Sequence, residues 1–358
     1  MSSGINSIFF IILFVLIFNS CSRGETDHIN TNSISLTKID SVVLNNTEPL
    51  FGKFVEQFRI NEEGDIWIFA ERDQNRIFAF DSLGRFINVV GERGKGPKGI
   101  MHVSGFNFND ENQVMIYDAV QRMIKIFDLK GELISSNTVF SEGKYWAHPY
   151  SLTSFEDQLL FPITESEFIH EPHKSRLLLI IDYDGKVDTV FGKHDEFTLK
   201  DNSYSAENTV LVDSSYIFTS SVGSPYIQMY SRVTLQRIDY FGENTKSFSL
   251  PEKEVHTNLP IAEINKRSSG SSVMAGIHGT EDYIVAHMQI LTDEFFETID
   301  FTKKKNILVL YDKKTRKFIK ELAIPYTLAA VNNDKLYMIE DFDPDNYSIG
   351  VYKLAFSD

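Results

Sequence analysis

Apolar residues in this chain gather into short runs, and the runs come in pairs joined by tight turns. An alternating apolar stretch ends in an aromatic or aliphatic residue followed by Asp, a turn follows, and a second stretch begins. The copies are IFAFDSLGRFINVVG at 77–91, IKIFDLKGELISS at 124–136, LLIIDYDGKVDTVFG at 178–192, IQMYSRVTLQRIDYFG at 227–242 and ILVLYDKKTRKFIKEL at 307–322, with a degenerate sixth, SIGVYKLAF, at 348–356. Asp81 and Gly84, Asp128 and Gly131, and Asp182 and Gly185 have the spacing of tight hairpins. There Asp bonds its own backbone and Gly supplies positive φ. A further apolar run stands ahead of each copy, at 65–70, 113–118, 158–163, 216–221, 283–288 and 335–340. Short turns and one more run precede those, as at 54–60 and 104–109. The repeating unit is therefore four antiparallel strands, present six times.

Four-stranded units in series predict an all-β chain, a six-bladed β-propeller. The two ends of the repeat agree with this. The sixth unit has three strands before the chain stops, and a spare strand, SISLTKIDSVVL, stands at 33–44. Pairing that strand with the last unit closes the ring and removes an exposed sheet edge.

The hairpin at 77–91 runs into Gly91-Glu-Arg-Gly-Lys-Gly-Pro97 and then another apolar strand. This arrangement resembles NHL-type repeats. The whole of residues 34–356 is similar to the TolB-like six-bladed propeller lipoproteins of Gram-negative bacteria. That resemblance implies the propeller fold and an envelope location and is nearly silent on activity.

The amino terminus carries a separate signal. Residues 8–18, IFFIILFVLIF, are apolar without interruption. The run is too short to cross a bilayer, which needs about 20 residues, and fits the apolar core of a secretory signal. Asn19, Ser20 and Cys21 follow, so the segment resembles the lipobox of bacterial lipoproteins, with Cys21 the lipidated residue. The expected division is a signal peptide over 1–20, a polar tether over 21–33 and the propeller over 34–358. A stable anchor needs more than one acyl chain.

Composition narrows the function. The formal net charge is −15, from Asp+Glu 50 against Lys+Arg 35. That balance disfavours a nucleic-acid binder, which needs a basic face, and contact with the membrane is expected through the lipid alone. One cysteine leaves no intrachain disulfide and no thiolate metal cluster.

In a propeller the turns after the first and third strands of each blade share one face. Here they are short, whereas long segments at 93–98, 141–149, 162–175, 193–203, 243–270, 289–306 and 341–347 belong to the other face. Long loops need a reason, so that face is the expected binding face. It holds Tyr145, Trp146, His148 and Tyr150, whose polar-tipped rings suit a sugar or a peptide and equally suit a hydrophobic plug between blades. Arg93 and Lys95, with Lys98, form the most basic short stretch, an anion cradle or a plain interblade turn. His102 follows it. Asp341, Asp343 and Asp345 have the opening spacing of a calcium loop but lack its Gly and its closing Glu, so a solvated acidic loop is the expectation and no cofactor is required. Six histidines (His102, His148, His194, His256, His278, His287) could meet in the channel of a propeller lyase. No Gly-x-Ser-x-Gly elbow is present. Two functions follow. One is a non-enzymatic binding module for a protein or glycan partner, and the other is a lyase or hydrolase with its site in the channel, acting on a saccharide or peptide with or without a divalent metal.

Overall fold

Six antiparallel sheets follow one another along the chain, each with its first strand innermost. A computed structural model describes residues 34–45, 54–71, 75–139, 145–147, 152–165, 171, 174–195, 208–251, 259–343 and 347–356. Blade 1 holds Phe54–Ile60, Ile66–Glu71, Ile77–Asp81 and Phe86–Val90. Blade 2 holds Val103–Phe108, Val114–Asp118, Met123–Phe127 and Leu133–Thr138. In blade 3 the inner position is shared by Tyr145–Ala147 and Thr153–Phe155, both paired with Gln158–Glu165, and Leu178–Asp182 and Val187–Phe191 complete the sheet. Blade 4 holds Asn208–Val212, Tyr216–Ser221, Ile227–Ser231 and Arg237–Phe241. Blade 5 holds Ser272–Gly279, Tyr283–Ile290, Lys305–Asp312 and Phe318–Ile324. Blade 6 takes Thr327–Asn332, Lys335–Asp341 and Ser348–Phe356 from the end of the chain and Ile34–Val43 from its start. Neighbouring blades touch in sequence around a closed ring, blade 6 meeting blade 1 through their innermost strands. The protein is an all-β six-bladed propeller, as the repeat predicts.

The core lies between the blades. Six apolar clusters occupy the six interfaces. Along one strand, Trp67 and Phe69 pack toward blade 6 while Ile68 and Ala70 pack toward blade 2. Both faces of the middle strands are buried, which is why they read as near-continuous apolar runs. A sheet with one wet face would alternate strictly. Each fully buried Phe, Leu or Ile contributes roughly 1.5–3 kcal/mol, and every interface draws on two blades, so no blade holds its core alone.

Ring closure follows the pairing that the surplus strand predicts. Ile34 lies opposite Phe356 and Val43 opposite Ser348, with one register shift between Lys38 and Asp40. Glu340 clamps the seam. Its carboxylate accepts from Ser41 Oγ at 3.0 Å and Tyr352 OH at 2.6 Å, and Lys38 Nζ lies 2.6 Å away. Burial alone would raise this carboxyl. The hydrogen bonds from Lys38, Tyr352 and Ser41 outweigh it and hold the group below the usual carboxylate range.

The Asp-x-x-Gly hairpins do more than reverse the chain. Asp81 Oδ1 accepts from the amides of Leu83 and Arg85, and Gly84 follows at φ +76°. Gly84 sits against the carbonyl of Val43 on the outer strand of blade 6. Gly131 sits in the same way on Val89 of blade 1, and Gly185 on Thr138 of blade 2. In blade 5 Arg316 takes a positive φ at the matching turn and its Nε lies 2.8 Å from Asp239 Oδ2 of blade 4.

Two short helices lie in segments that the sequence pattern leaves as loops: α1 over Ile261–Ser268 and α2 over Asp293–Thr298. An Arg267–Glu263 pair at i,i+4 supports α1, and the Thr292 side chain caps α2 by accepting from the Phe295 amide. Their signals are a turn or two long, too short for a hydrophobic period to show.

Candidate functional site

The turns after first and third strands are two to five residues long in every blade. The opposite face carries the excess. Thirty residues separate Phe241 from Ser272 and fourteen separate Ile290 from Lys305. Within them α1 and α2 touch each other, and Ile261 on α1 is 77% exposed.

The glycine-rich crossing from blade 1 to blade 2 is folded onto itself. Glu92–Arg93 pairs with Gly99–Ile100 in parallel. The amides of Glu92, Gly94 and Gly99 donate to the carbonyls of Lys98, Ile100 and Gly96. Gly99's carbonyl accepts from the Lys125 ammonium and from Gln121 Nε2, and the buried Asp118 accepts from the Met101 amide. The loop's amides are thus used within the loop, which is the geometry of an interblade turn. Arg93, Lys95 and His102 stand exposed around it, and Lys98 pairs with Glu132 at 2.6 Å.

Tyr145 packs, half-buried, against the cluster between blades 2 and 3. Trp146 is held opposite Thr164 by strand pairing. His148, Tyr150, Asp345 and Cys21 lie outside the described residues. Asp341 ends its strand and accepts from the Asp343 amide at 2.8 Å. Among the described residues no three His, Cys, Asp or Glu side chains come together in a metal-binding group. The histidines disperse. His102 is exposed at a crossing, His194 is buried beside the loop that leaves blade 3, and His287 is buried within blade 5 with a ring nitrogen 3.0 Å from Asn306 Oδ1. His256 lies outside the described residues, and of the described histidines in this set His278 lines the channel.

The channel holds a pocket of about 230 Å3 lined by the innermost strands of all six blades. It lies in the half nearer the short turns, since its walls come from 57–60, 209–212 and 276–279. Arg59 and His278 are its titratable residues. Arg59 Nη1 donates to the Phe58 carbonyl, its Nη2 lies 3.3 Å from Gln57 Oε1, and its guanidinium is over the Phe106 ring at 5.4 Å. Gln57 reaches across to the Ala275 carbonyl of blade 5 at 2.8 Å. His278 Nε2 is shielded from solvent and has no hydrogen-bond partner among the described residues. Its ring folds back over Gly276, where a Cβ would come within 2.7 Å of Nε2. Burial brings Arg59 down to about 10. Burial, then the nearby His287 and Arg59, push His278 down to about 3. Sequence reasoning missed Arg59. Its signal was a single cation in an inner strand, legible only once that strand is known to face a channel.

The buried histidines set an acid limit. Burial pushes His194 down to about 4. Both rings take up protons near pH 6.5 in the unfolded chain but not in the folded one. Stability is therefore expected to fall as pH drops from about 6.5, by several kcal/mol in all once pH nears 4. Urea titrations between pH 7 and 5, above the range where carboxylates protonate, check this. Replacing both residues by Gln should flatten the slope.

A closed ring of six four-stranded sheets with a polar channel defines the six-bladed propeller class. Within that class the chain belongs to the DUF5128 family, described as a 6-bladed beta-propeller, whose pattern matches residues 32–320. Solved structures share the fold. A member of the DUF4221 family from Bacteroides vulgatus is 13% identical with a TM-score of 0.69, over 91% of this chain and 100% of the other. A candidate exported protein from Bacteroides fragilis is also 13% identical, with a TM-score of 0.61 over 93% of this chain and 98% of the other. No curated protein matches the sequence.

Proposed function

We propose that this chain is a lipid-anchored propeller of the cell envelope, related to the NHL and TolB-like propellers. It acts as a binding module that engages a protein or glycan partner through its long-loop face. The observation that carries this reading is the one-sided distribution of chain length. Hairpins on one face stay at two to five residues, while the opposite face carries the 30-residue segment with α1 and the neighbouring segment with α2. Exposed Ile261 gives that face an apolar contact point. Supporting the address are the lipobox-like end at Cys21 and the candidate exported protein of the same fold.

Crosslinking in intact cells tests the binding face. A variant with 259–268 replaced by a short Gly-Ser linker should keep the wild-type melting curve and lose the crosslinked partner. A Val233→Ser variant on the short-turn face should keep it. Unchanged crosslinking by the shortened variant sinks the reading. For the anchor, Cys21→Ala should abolish fatty-acid labelling and release the protein from the membrane fraction, and continued labelling would count against lipidation at that residue.

A further inference from the structure

A second cavity, of about 430 Å3, lies at the outer edge of the interface between blades 3 and 4. Blade 3 contributes Arg176, Phe191 and Lys193 to its wall, and blade 4 contributes Tyr230, Leu235 and Arg237. Among the described residues the wall includes three cations and no Asp or Glu, in a chain whose net charge is −15. Arg176 is half-buried, and Lys193 and Arg237 are exposed. None of the three is in an ion pair among the described residues. Glu165 accepts from the Arg176 amide, at 2.7 Å. Arg237 Nη1 lies 3.5 Å from Gln228 Oε1 and its guanidinium lies over the Tyr240 ring at 5.7 Å, contacts that leave its charge unbalanced. The three cations gather about the buried Tyr230 hydroxyl, which donates to Gln228 Oε1 at 2.8 Å and lies 3.4 Å from the Lys193 amide. Burial pushes that hydroxyl up to about 12, and the Lys193 amide and the charges of Arg237 and Arg176 work against it. Asp195, whose charge acts with burial, is itself buried and outside the wall. The neighbouring hairpin is also unusual. Blades 1, 2 and 3 each seat a glycine on the preceding blade, whereas blade 4 has Leu235 at a φ of +55°. A bulky residue in that conformation is rare, and here its side chain joins the cavity wall.

We infer that this cleft binds the phosphoryl group of a small soluble phosphate, held by Arg176, Lys193 and Arg237. Charge selects the class. A lone carboxylate would leave two cations unbalanced, whereas a phosphate monoester carries about −1.5 to −2 at pH 7 and three strong acceptor oxygens. Guanidinium groups meet two such oxygens at once, and a lysine adds a point charge. Low-dielectric walls concentrate the field of the three cations and draw anions to them, against the repulsion of an acidic chain. The volume is within the range of small-molecule sites. The segment 259–268 is not part of this cleft, so the partner-binding reading and this one can fail separately.

Isothermal titration calorimetry of the purified protein with glucose 6-phosphate and inorganic phosphate provides the test, at constant ionic strength and beside glucose and acetate. Both phosphates should bind saturably at one site, and glucose and acetate should give no saturable heat. Arg237→Gln and Lys193→Gln change exposed residues and should keep the wild-type melting curve. Each should weaken phosphate binding about tenfold, the size expected for losing a charge-assisted hydrogen bond. Lys130→Gln makes the same charge change at the exposed blade 2 hairpin and should leave the affinity as it is, which separates a site from general attraction. Vesicles of phosphatidylcholine with phosphatidic acid should not displace glucose 6-phosphate. No saturable heat with either phosphate, equal binding of acetate, unchanged affinity in both Arg237→Gln and Lys193→Gln, an equal loss in Lys130→Gln, or displacement by the vesicles would each overturn the assignment.

Discussion

The chain lacking residues 34–43 is expected to lose its cooperative unfolding transition. That strand forms the outer edge of blade 6, and its removal strips the whole length of Ser348–Phe356 of its outer partner. It also takes Ile34 from the cluster between blades 5 and 6 and Val42 from the cluster between blades 6 and 1. A third loss is the seat of Gly84 on Val43. Two of six interfaces weaken together and a sheet edge opens to other chains. The combined loss is comparable with the whole stability of a domain, about 5–15 kcal/mol. Circular dichroism melting checks this, and a peptide of residues 34–45 added in trans should restore part of the transition. Glu340→Ala is the milder form. It leaves the strand but removes the acceptor shared by Lys38, Ser41 and Tyr352, and should cost about 1–3 kcal/mol. A sharp, wild-type transition in the truncated chain would refute the ring-closing role.

Gly84→Ala and Gly185→Ala are expected to be nearly as damaging, and Gly131→Ala much less so. All three glycines have positive φ, +76°, +80° and +86° in chain order, which alone costs an L residue roughly 1–2 kcal/mol. The difference lies in what the new methyl meets. At Gly84 a Cβ would stand 2.3 Å from the Val43 carbonyl oxygen, and at Gly185 it would stand 2.4 Å from that of Thr138. Those are backbone atoms of the preceding blade, which cannot move without shifting its outer strand. At Gly131 the nearest carbonyl oxygen, that of Val89, is 3.0 Å away. Urea midpoints should therefore show losses of about 4 kcal/mol at the first two sites and about 1–2 kcal/mol at the third. Asn, which tolerates positive φ, should not rescue residue 84 or 185, because the clash remains. Rescue by Asn would show that backbone conformation, and not the seat on the neighbouring blade, sets the requirement.

Much of the architecture is legible in the residues because its causes are local. Asp81 and Gly84 make a hairpin wherever they fall, and six similar units in series leave few arrangements that bury their faces. The surplus strand at 33–44 even announces how the ring closes. The helices α1 and α2 were not legible, being too short to show a period. The apolar runs such as Ile66–Glu71 look ambiguous in isolation, and only their position between two neighbours explains why both faces are apolar. Of the residues proposed for a site, Tyr145 proves to pack between blades, and the crossing that carries Arg93 and Lys95 spends its amides on itself.

By itself, then, the sequence determined the repeating unit, the number of blades, the short-turn face and the acidic balance. Each of these rests on neighbours along the chain or on totals. Only the tertiary structure decided which side chains share the channel. Arg59 and His278 lie more than two hundred residues apart, and they meet because ring closure brings blade 1 back beside blades 5 and 6. Nothing in either strand's own pattern marks the edge that will face the axis. That edge is chosen by packing all six blades at once, and the pocket's charge and shielding follow from that choice.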